Sequence, residues 1–590
     1  MISKRVSSFK SHLTKEYLLT HRIDRNLSLR KLQVQEFLDN KRFRTQEKDS
    51  EMHVEADVKF KSEVSSSSTT YKIWENLQAL SCDPRYIDNY ASLIKSDDFQ
   101  TKITGIICLR KLISKPVQPQ IKEILSSKIL LDLIQIARST SDDRLLFEVI
   151  WIFVNIASSE YTHILIEYRI IDIIANLILR NNPYDLIDQL IWLIANIAAD
   201  RNANCNEMRS RNFHEFLFKV FVDNISSKIN RNCLWAMSNL LKGAKELNLT
   251  QNLSVSVSKC CQIISCFLNK KENIDFKKDR IDMVISNAIS VISFITECRP
   301  CTLSILLKHK SAGDFLQLLD LVHQDESSFL SVLRVLGNFS ANEQEYTEEI
   351  IKFNILQRLK EILAKDPPSI ITKEICWILS NIAAGLEEHV DLFFTNKDML
   401  AILFNILKRD DLEVKKEAIW CISNLTSTGN VIFINCLVNY GIIEVFSQWL
   451  SHTDYRLPAL IMEALDNVIG KLIHHDSSSR LLYAQCDNYG IIQKLQVLSH
   501  SRNVLLRNKS EELNNKYFLY FREEEDLEMF DKEELYVCPN NNFTDDSEDM
   551  MPFINSVENK EEERNKENDP YFAYSNSMDD YNSVDFSKSN

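Results

Sequence analysis

The chain has 590 residues, with only 9 Gly and 11 Pro, and carries a formal net charge of −14. Few helix-interrupting residues favour long helices over a turn-rich β architecture. No apolar run reaches the roughly 18 residues of a membrane span, and the N-terminal residues lack the apolar core of a signal peptide. We therefore expect a soluble protein of the cytosol and nucleus whose 14 cysteines are reduced.

The charge is distributed unevenly along the chain. Residues 1–44 contain eleven Lys or Arg against four Asp or Glu, whereas residues 521–590 contain six against twenty-one. The residues between these ends are mildly acidic. Such a balance disfavours binding to a nucleic-acid backbone and suits cationic partners.

Four segments follow from composition and periodicity. Residues 1–48 form a basic arm that permits an amphipathic helix, and the polar residues 49–70 read as a linker. A helical array is predicted over 71–520, with a polar loop insertion at 269–280 and a last helical unit that ends near Phe518. The acidic residues 521–590 are predicted to be a disordered tail.

The array is indicated by a Trp-x-x-x-Asn motif that recurs. Its copies are Trp151/Asn155, Trp192/Asn196, Trp235/Asn239, Trp377/Asn381 and Trp420/Asn424. Versions without tryptophan fit at Ser290/Phe294, Arg334/Asn338 and Glu463/Asn467. The tryptophans of repeats that follow one another directly, Trp151, Trp192 and Trp235 and then Trp377 and Trp420, are 41 or 43 residues apart. A fixed period of this size is typical of solenoids built from two- or three-helix units.

In a helix, Trp at position i and Asn at i+4 lie on one face. Stacked units would therefore present a row of indoles beside a row of amides. Acidic or amide residues stand three positions before each tryptophan, and they are Glu148, Gln189, Asn232, Glu374 and Glu417. Such a groove suits an extended basic peptide, because amides can hold its backbone and indoles attract cations. The alternative is that the tryptophans only fill the core, but five copies at one position of the repeat favour a ligand site.

With these motifs the sequence resembles the importin alpha family, the armadillo-repeat adaptors for cargo with basic nuclear localisation signals. The resemblance covers nearly the whole chain, from LRKLISKPVQPQIKEI through DQLIWLIANIAAD and KEICWILSNIAAG to NKYF and its acidic extension. It implies an all-α, right-handed superhelical solenoid of about ten armadillo repeats. It also implies a nuclear import adaptor that needs no cofactor and shuttles between cytoplasm and nucleus.

The resemblance also implies two signal-binding sites. The major site would consist of Trp151, Asn155, Thr162, Gln189, Trp192, Asn196, Asp200, Trp235 and Asn239, with Asp200 receiving the key lysine of the signal. The minor site, for the second cluster of a bipartite signal, would consist of Arg334, Asn338, Trp377, Asn381, Glu417, Trp420 and Asn424. The sequence departs from the family where Ser290 and Phe294 replace the usual Trp and Tyr.

The arm and the C-terminal end imply further partners by the same resemblance. Basic residues of the arm stand in for the importin-beta-binding and self-inhibitory clusters, and they are Arg30, Lys31, Lys41, Arg42 and Arg44. The C-terminal repeat with its acidic extension resembles the region that the family's nuclear export receptor binds. Neither nucleic acid nor membrane insertion is expected.

Two other classes of function agree less well with the sequence. An enzyme is not expected, because no catalytic constellation or phosphate-binding loop occurs, and Cys298-x-x-Cys301 lacks the second pair of a zinc site. The remaining alternative is an armadillo-repeat scaffold of a signalling or adhesion complex without import activity. A scaffold for acidic tails would carry a groove of Lys and Arg, whereas Glu148, Asp200 and Glu417 favour cationic ligands.

Overall fold

The computed structural model describes residues 87–114, 121–126, 128–223, 227–269, 283–323, 325–396, 398–473 and 476–518. Within these ranges the regular structure is entirely helical, as predicted. The predicted basic arm (1–48), linker (49–70) and acidic tail (521–590) lie outside the described residues, so these boundaries stay predictions.

The helices of the first half are α1 (Ile87–Ile94), α2 (Phe99–Ile113), α3 (Ile121–Ser126), α4 (Ile129–Ser139), α5 (Asp143–Ala157), α6 (Thr162–Glu167), α7 (Ile170–Ile178), α8 (Tyr184–Ala198), α9 (Asn202–Ser210), α10 (Phe213–Asp223), α11 (Ser227–Leu241), α12 (Gln251–Asn269) and α13 (Met283–Cys298). A 3-10 turn (Pro300–Thr302) follows. The second half contains α14 (Leu303–Lys308), α15 (Ser311–Leu321), α16 (Glu326–Ser340), α17 (Gln344–Ile351), α18 (Ile355–Leu363), α19 (Ser369–Ala383), α20 (Glu387–Thr395), α21 (Met399–Leu407), α22 (Leu412–Thr428), α23 (Val431–Asn439), α24 (Ile442–Leu450), α25 (Arg456–Leu472), α26 (Asp476–Asn488), α27 (Ile491–Leu498) and α28 (Val504–Leu513). A π-helical turn (Asn514–Phe518) ends the described chain.

Most units consist of a short first helix, a second helix and a longer third helix, as in α6, α7 and α8. A residue in the left-handed backbone region precedes the second helix in eight units: Lys128, Arg169, Asn212, Lys310, Asn354, Asp398, Gly441 and Gly490. This conformation reverses the chain within one or two residues, which lets the first two helices pack closely. The third helix then starts at a cap such as Asp142, whose carboxylate accepts from the backbone N–H groups of Arg144 and Leu145.

The third helices stack in chain order into one row, which we call the inner row: α2, α5, α8, α11, α13, α16, α19, α22, α25 and α28. Each member contacts the one before it and the one after it. Their apolar faces are fully buried, as at Ile150, Ile191 and Ile419. A row in which each unit packs only on its neighbours is the architecture of a solenoid, and the prediction of an all-α solenoid of about ten repeats is confirmed.

One unit departs from the pattern. After α11 an irregular stretch at 242–250 replaces the short first helix, and α12 extends to 19 residues. Side chains at the C-terminal end of α13 and just after it hold this stretch, because Arg299 donates to the carbonyl of Leu247 and Cys298 donates to that of Ala244. Residues 270–282, which include most of the predicted polar insertion, lie outside the described residues.

No single helix among the described residues is long and apolar enough to cross a membrane. Two consecutive helices, α23 and α24, reach that length and apolar composition together, but they are bent by 73°. Phe433, Leu437 and Phe446 of this pair are buried in the core. Their apolar character is therefore accounted for by packing inside the solenoid.

Candidate functional site

The motif asparagines lie on the inner row, where each donates a side-chain N–H to the preceding inner helix. Asn155 bonds to the Ser114 hydroxyl at 3.0 Å, Asn196 to the Val154 carbonyl at 3.1 Å, Asn239 to the Ala195 carbonyl at 3.1 Å, Asn338 to the Thr296 hydroxyl at 2.9 Å, Asn381 to the Ser340 hydroxyl at 3.2 Å, and Asn424 to the Ser380 carbonyl at 2.9 Å. All six asparagines are buried. The row of amides thus joins each repeat to the one before it.

These bonds explain why a polar residue recurs at a buried position. A buried amide without partners would be destabilising by about 1–3 kcal/mol, so each copy needs a bond. The bond to the neighbouring helix engages the amide nitrogen of each carboxamide and fixes the orientation of the group. The sequence predicted that the amides would hold a ligand; that they also connect the repeats was missed.

The motif tryptophans stand beside one another on the same row. The rings of Trp192 and Trp235 meet edge to face, with centroids 5.3 Å apart and planes at 73°. Trp192 is half-buried, whereas Trp151, Trp235, Trp377 and Trp420 are buried. The indoles therefore pack between consecutive inner helices and also supply the apolar walls of the predicted slots.

The Trp377 ring lies directly opposite a glycine of the preceding inner helix. An added Cβ at Gly337 on α16 would lie 2.0 Å from Cζ3 and 2.6 Å from Cε3 of Trp377. The indole ring of α19 thus rests directly on the backbone of α16. This glycine immediately precedes Asn338 of the predicted minor site, and its role was not predicted.

Asp200 lies just beyond the C-terminal end of α8, one helical turn after Asn196. Its side chain is only 16% exposed, and Oδ2 lies 3.6 Å from Nε of Arg201, whose side chain is 70% exposed. An ion pair with so exposed a partner is worth little, because water screens it. The carboxylate thus lies at the C-terminal end of the helix that carries Trp192 and Asn196.

Thr162 and Gln189 differ in how their polar atoms are used. The Thr162 hydroxyl is buried and donates to the carbonyl of Ala157 at 2.9 Å, where α6 starts and α5 ends. Gln189 is fully buried on α8, and neither of its side-chain polar atoms has a hydrogen-bond partner among the residues that the structure describes. A buried amide in this state is a candidate for contact with a ligand.

The predicted minor site contains buried carboxylates. Glu374 is 2% exposed and accepts from Nε of Arg334 at 3.4 Å, which joins α16 to α19. Glu417 on α22 is 1% exposed, three residues before Trp420. Negative charge at both positions gives this part of the row the electrostatic character that cationic ligands require.

Cysteines beside two of the tryptophans carry no reactive thiolate. Burial raises the pKa of the Cys376 thiol and that of the Cys421 thiol well above the ordinary value. A thiol that stays protonated is a poor nucleophile and a poor metal ligand. These two cysteines are part of the buried core between helices.

Sequence reasoning also missed Arg110, which lies on α2 and contacts the first tryptophan of the motif. Its Cζ is 4.4 Å from the centroid of the Trp151 ring, and its Nε donates to Oε2 of Glu148. The signal was present, because Arg110 lies 41 residues before Trp151 and so occupies the tryptophan position of the first inner helix. The predicted arm residues Arg30, Lys31, Lys41, Arg42 and Arg44 lie outside the described residues.

Comparison with characterised proteins finds distant similarity to importin alpha subunits. Importin subunit alpha-1b of Oryza sativa subsp. japonica is 26% identical over 447 residues, covering 74% of this chain and 79% of the rice protein. Importin subunit alpha-4 of Arabidopsis thaliana is 27% identical over the same length and coverage, and alpha-9 is 25% identical over 54% of this chain and 59% of its own length. This chain is thus similar in sequence to importin alpha subunits over 74% of its length. No protein-family profile matches it.

Solved structures support the fold of this importin alpha relative. An engineered protein aligns with a TM-score of 0.55 at 18% identity, covering 73% of this chain and 98% of its own. A chain from a study of the phosphorylation switch between cadherin and beta-catenin aligns with a TM-score of 0.52 at 12% identity, covering 75% and 96%. At these identities the likeness shows a shared fold alone. The similarity to importin alpha subunits supports a nuclear import adaptor built from armadillo repeats.

Proposed function

We propose that this chain is a nuclear import adaptor that binds Lys/Arg-rich nuclear localisation signals along its inner row and links the cargo to importin beta. The major site is the set of residues around Trp151, Trp192 and Trp235, with Asp200 accepting a cargo lysine. The minor site is the set around Arg334, Trp377 and Trp420. Shuttling between cytoplasm and nucleus and recovery by a nuclear export receptor belong to the same proposal.

The observation that carries the proposal is the alignment of amides and indoles on one continuous row of helices. Asn155, Asn196 and Asn239 each bond to the preceding helix, which holds their amides at equivalent positions in successive repeats. An extended peptide has N–H and C=O groups at a regular spacing and can match such a row without sequence preference. Specificity then depends on side-chain slots between the indoles.

The electrostatics of the row favour cationic side chains. Asp200, Glu374 and Glu417 are largely or fully buried carboxylates on or beside the inner helices. Each contact of a Lys or Arg with an indole face adds about 0.5–2 kcal/mol. A scaffold for acidic or phosphorylated tails would require the opposite charge at these positions, so the import adaptor is the better match.

The test is a fluorescence-anisotropy titration of the full chain with a labelled Lys/Arg-rich peptide. Asp200→Lys should weaken binding by about tenfold or more, because a charge reversal at the contact costs at least about 1.4 kcal/mol. Added salt should weaken the wild-type interaction as well. The matched control is Asp410→Lys, which makes the same charge change at an exposed residue of the loop before α22. Equal losses in both variants, or none in either, would exclude the assigned contact.

The link to importin beta and the self-inhibition are tested with a chain that lacks residues 1–60. If the arm competes with cargo, the truncated chain should bind the same peptide more tightly, because the competing Lys41, Arg42 and Arg44 are gone. A pull-down of importin beta should succeed with the full chain and fail with the truncated one. Unchanged peptide affinity would contradict self-inhibition, and retained importin beta would contradict the assignment of the arm.

A further inference from the structure

The first slot of the inner row already contains a cation. Trp151 and Glu148 both lie on α5. The guanidinium carbon of Arg110, on α2, is 4.4 Å from the centroid of the Trp151 ring, and Nε of Arg110 donates to Glu148. The side chains of Arg110 and Glu148 are 7% and 11% exposed, so the ion pair is shielded from water. Phe147 meets Trp151 edge to face, with centroids 5.7 Å apart. The charge is thus enclosed by an indole face and a carboxylate.

These are the same components that a cargo arginine would meet elsewhere on the row. The proposed slots consist of an indole wall with an acidic or amide residue three positions before the tryptophan. In the first slot the wall is Trp151, the acidic residue is Glu148, and the occupant comes from the chain itself. Arg110 stands at the position where the next three inner helices carry tryptophan.

A second part of the row repeats the ion pair. Arg334 of α16 occupies the tryptophan position of its own unit and pairs with Glu374, three residues before Trp377 of the next unit. The spacing from arginine to glutamate is 38 residues in the first pair and 40 in the second. In both places, therefore, an arginine on one inner helix forms an ion pair with a glutamate on the next inner helix, which also carries a tryptophan.

We propose that Glu148 and Trp151 form a guanidinium-binding slot and that Arg110 is its built-in ligand. Because Arg110 fills this slot, the peptide groove ends at this N-terminal repeat. A planar guanidinium suits the slot, because it can stack on the indole and donate sideways to the carboxylate, whereas an ammonium is a compact, strongly hydrated charge with no planar face to stack. The inference about where the groove ends rests on the proposed function, whereas the inference that Glu148 and Trp151 bind a guanidinium does not.

The slot is tested by chemical rescue. In the Arg110→Ala variant of the full chain, methylguanidinium chloride should raise the melting temperature in a saturable manner across the millimolar range. At a concentration about five times its Kd, the equilibrium constant for unfolding should fall about sixfold. Methylammonium chloride at equal ionic strength should give a smaller shift, and the wild-type chain should show no saturable shift. The double variant Arg110→Ala with Glu148→Ala should lose the rescue, because the carboxylate is gone.

Should Arg110→Ala be unfolded at the assay temperature, recovery of its helical circular dichroism on addition of methylguanidinium gives the same information. Arg110→Gln, which retains a polar side chain of similar length, provides a second background. Rescue that is equal with methylammonium, or that persists in the double variant, would overturn the guanidinium slot. Absence of rescue in both Arg110 variants would overturn it as well.

The limit of the groove is tested separately with peptides. Two versions of the basic peptide carry one added arginine, at the N-terminal or at the C-terminal end. In Arg110→Ala one of the two should bind about 2- to 30-fold more tightly than the parent peptide, which is the range of a single cation–indole contact. The wild-type chain should gain nothing from either. If no basic peptide binds the wild-type chain, the proposed function fails, whereas the rescue experiment still decides the slot. Equal gains in both chains would contradict the limit.

Discussion

At the scale of single residues, the inner row depends on buried asparagine amides that connect neighbouring repeats. Asn196 donates to the Val154 carbonyl, which also accepts the backbone N–H of Ser158, so that carbonyl closes one helix and anchors the next. Such a bond contributes about 0.5–1.5 kcal/mol to stability. The recurrence of asparagine therefore has a structural cause as well as the proposed functional one.

His214 on α10 is the residue whose titration should be visible in stability. It is 5% exposed, and burial, followed by the positive charge of Arg209, lowers its pKa from about 6.5 to about 4. The unfolded chain then binds the proton more strongly, so stability is full above pH 6.5 and decreases as the pH falls towards 4. His214→Leu should remove up to about 1.4 kcal/mol per pH unit of slope in that window, measured by urea denaturation.

The control for this measurement is Phe218→Leu, which changes the ring that packs edge to face on His214. Since no titrating group is removed, its effect on the free energy of unfolding should be similar at every pH. A His214→Leu variant with the same pH slope as the wild-type chain would show that His214 is not desolvated in solution.

At the scale of helices, the contact between α16 and α19 depends on a glycine that leaves room for an indole ring. Gly337→Ala should force the Trp377 indole away from α16, because the new Cβ has no room. We expect a loss of about 1–3 kcal/mol in the free energy of unfolding. We also expect weaker binding of a bipartite peptide, with little change for a peptide restricted to the major site, measured by anisotropy.

The matched change is Gly243→Ala in the irregular stretch after α11, where an added Cβ meets nothing within 4 Å but the backbone has a φ of +69°. That variant tests strain without displacing a tryptophan, so it should lower stability and leave the ratio of the two peptide affinities unchanged. The same ratio in Gly337→Ala would contradict the role of this glycine in placing Trp377.

At the scale of the molecule, each inner helix among the described residues packs mainly on its own unit and on the adjacent ones, so stability should be distributed locally. Leu506 of α28 is 6% exposed at the end of the described row. Leu506→Ala should speed amide hydrogen exchange in α27 and α28 and leave α8 and α11 protected. By comparison, Leu190→Ala, which removes a fully buried side chain of α8, should speed exchange in the units on both sides. Uniform loss of protection in either variant would indicate one cooperative unit.

The repeat length, the helical structure of each repeat and the helix face that carries the motifs could be predicted from the sequence. This was possible because the 41- to 43-residue spacing of tryptophans and the i to i+4 spacing to asparagine are local properties of the chain. The sequence also placed the acidic residues beside the tryptophans, since they lie on the same helix.

The contacts between residues of different repeats could not be predicted from the sequence and depend on the tertiary packing. The bonds from each asparagine to the preceding helix, the packing of Trp377 on Gly337, and the filling of the first slot by Arg110 join residues about 40 positions apart. Helical periodicity fixes the direction of a side chain within its own helix, but the separation and rotation of neighbouring helices come from how their side chains interlock. For that reason the sequence predicted a row of indoles and amides, and the packing determined that its first slot is already occupied.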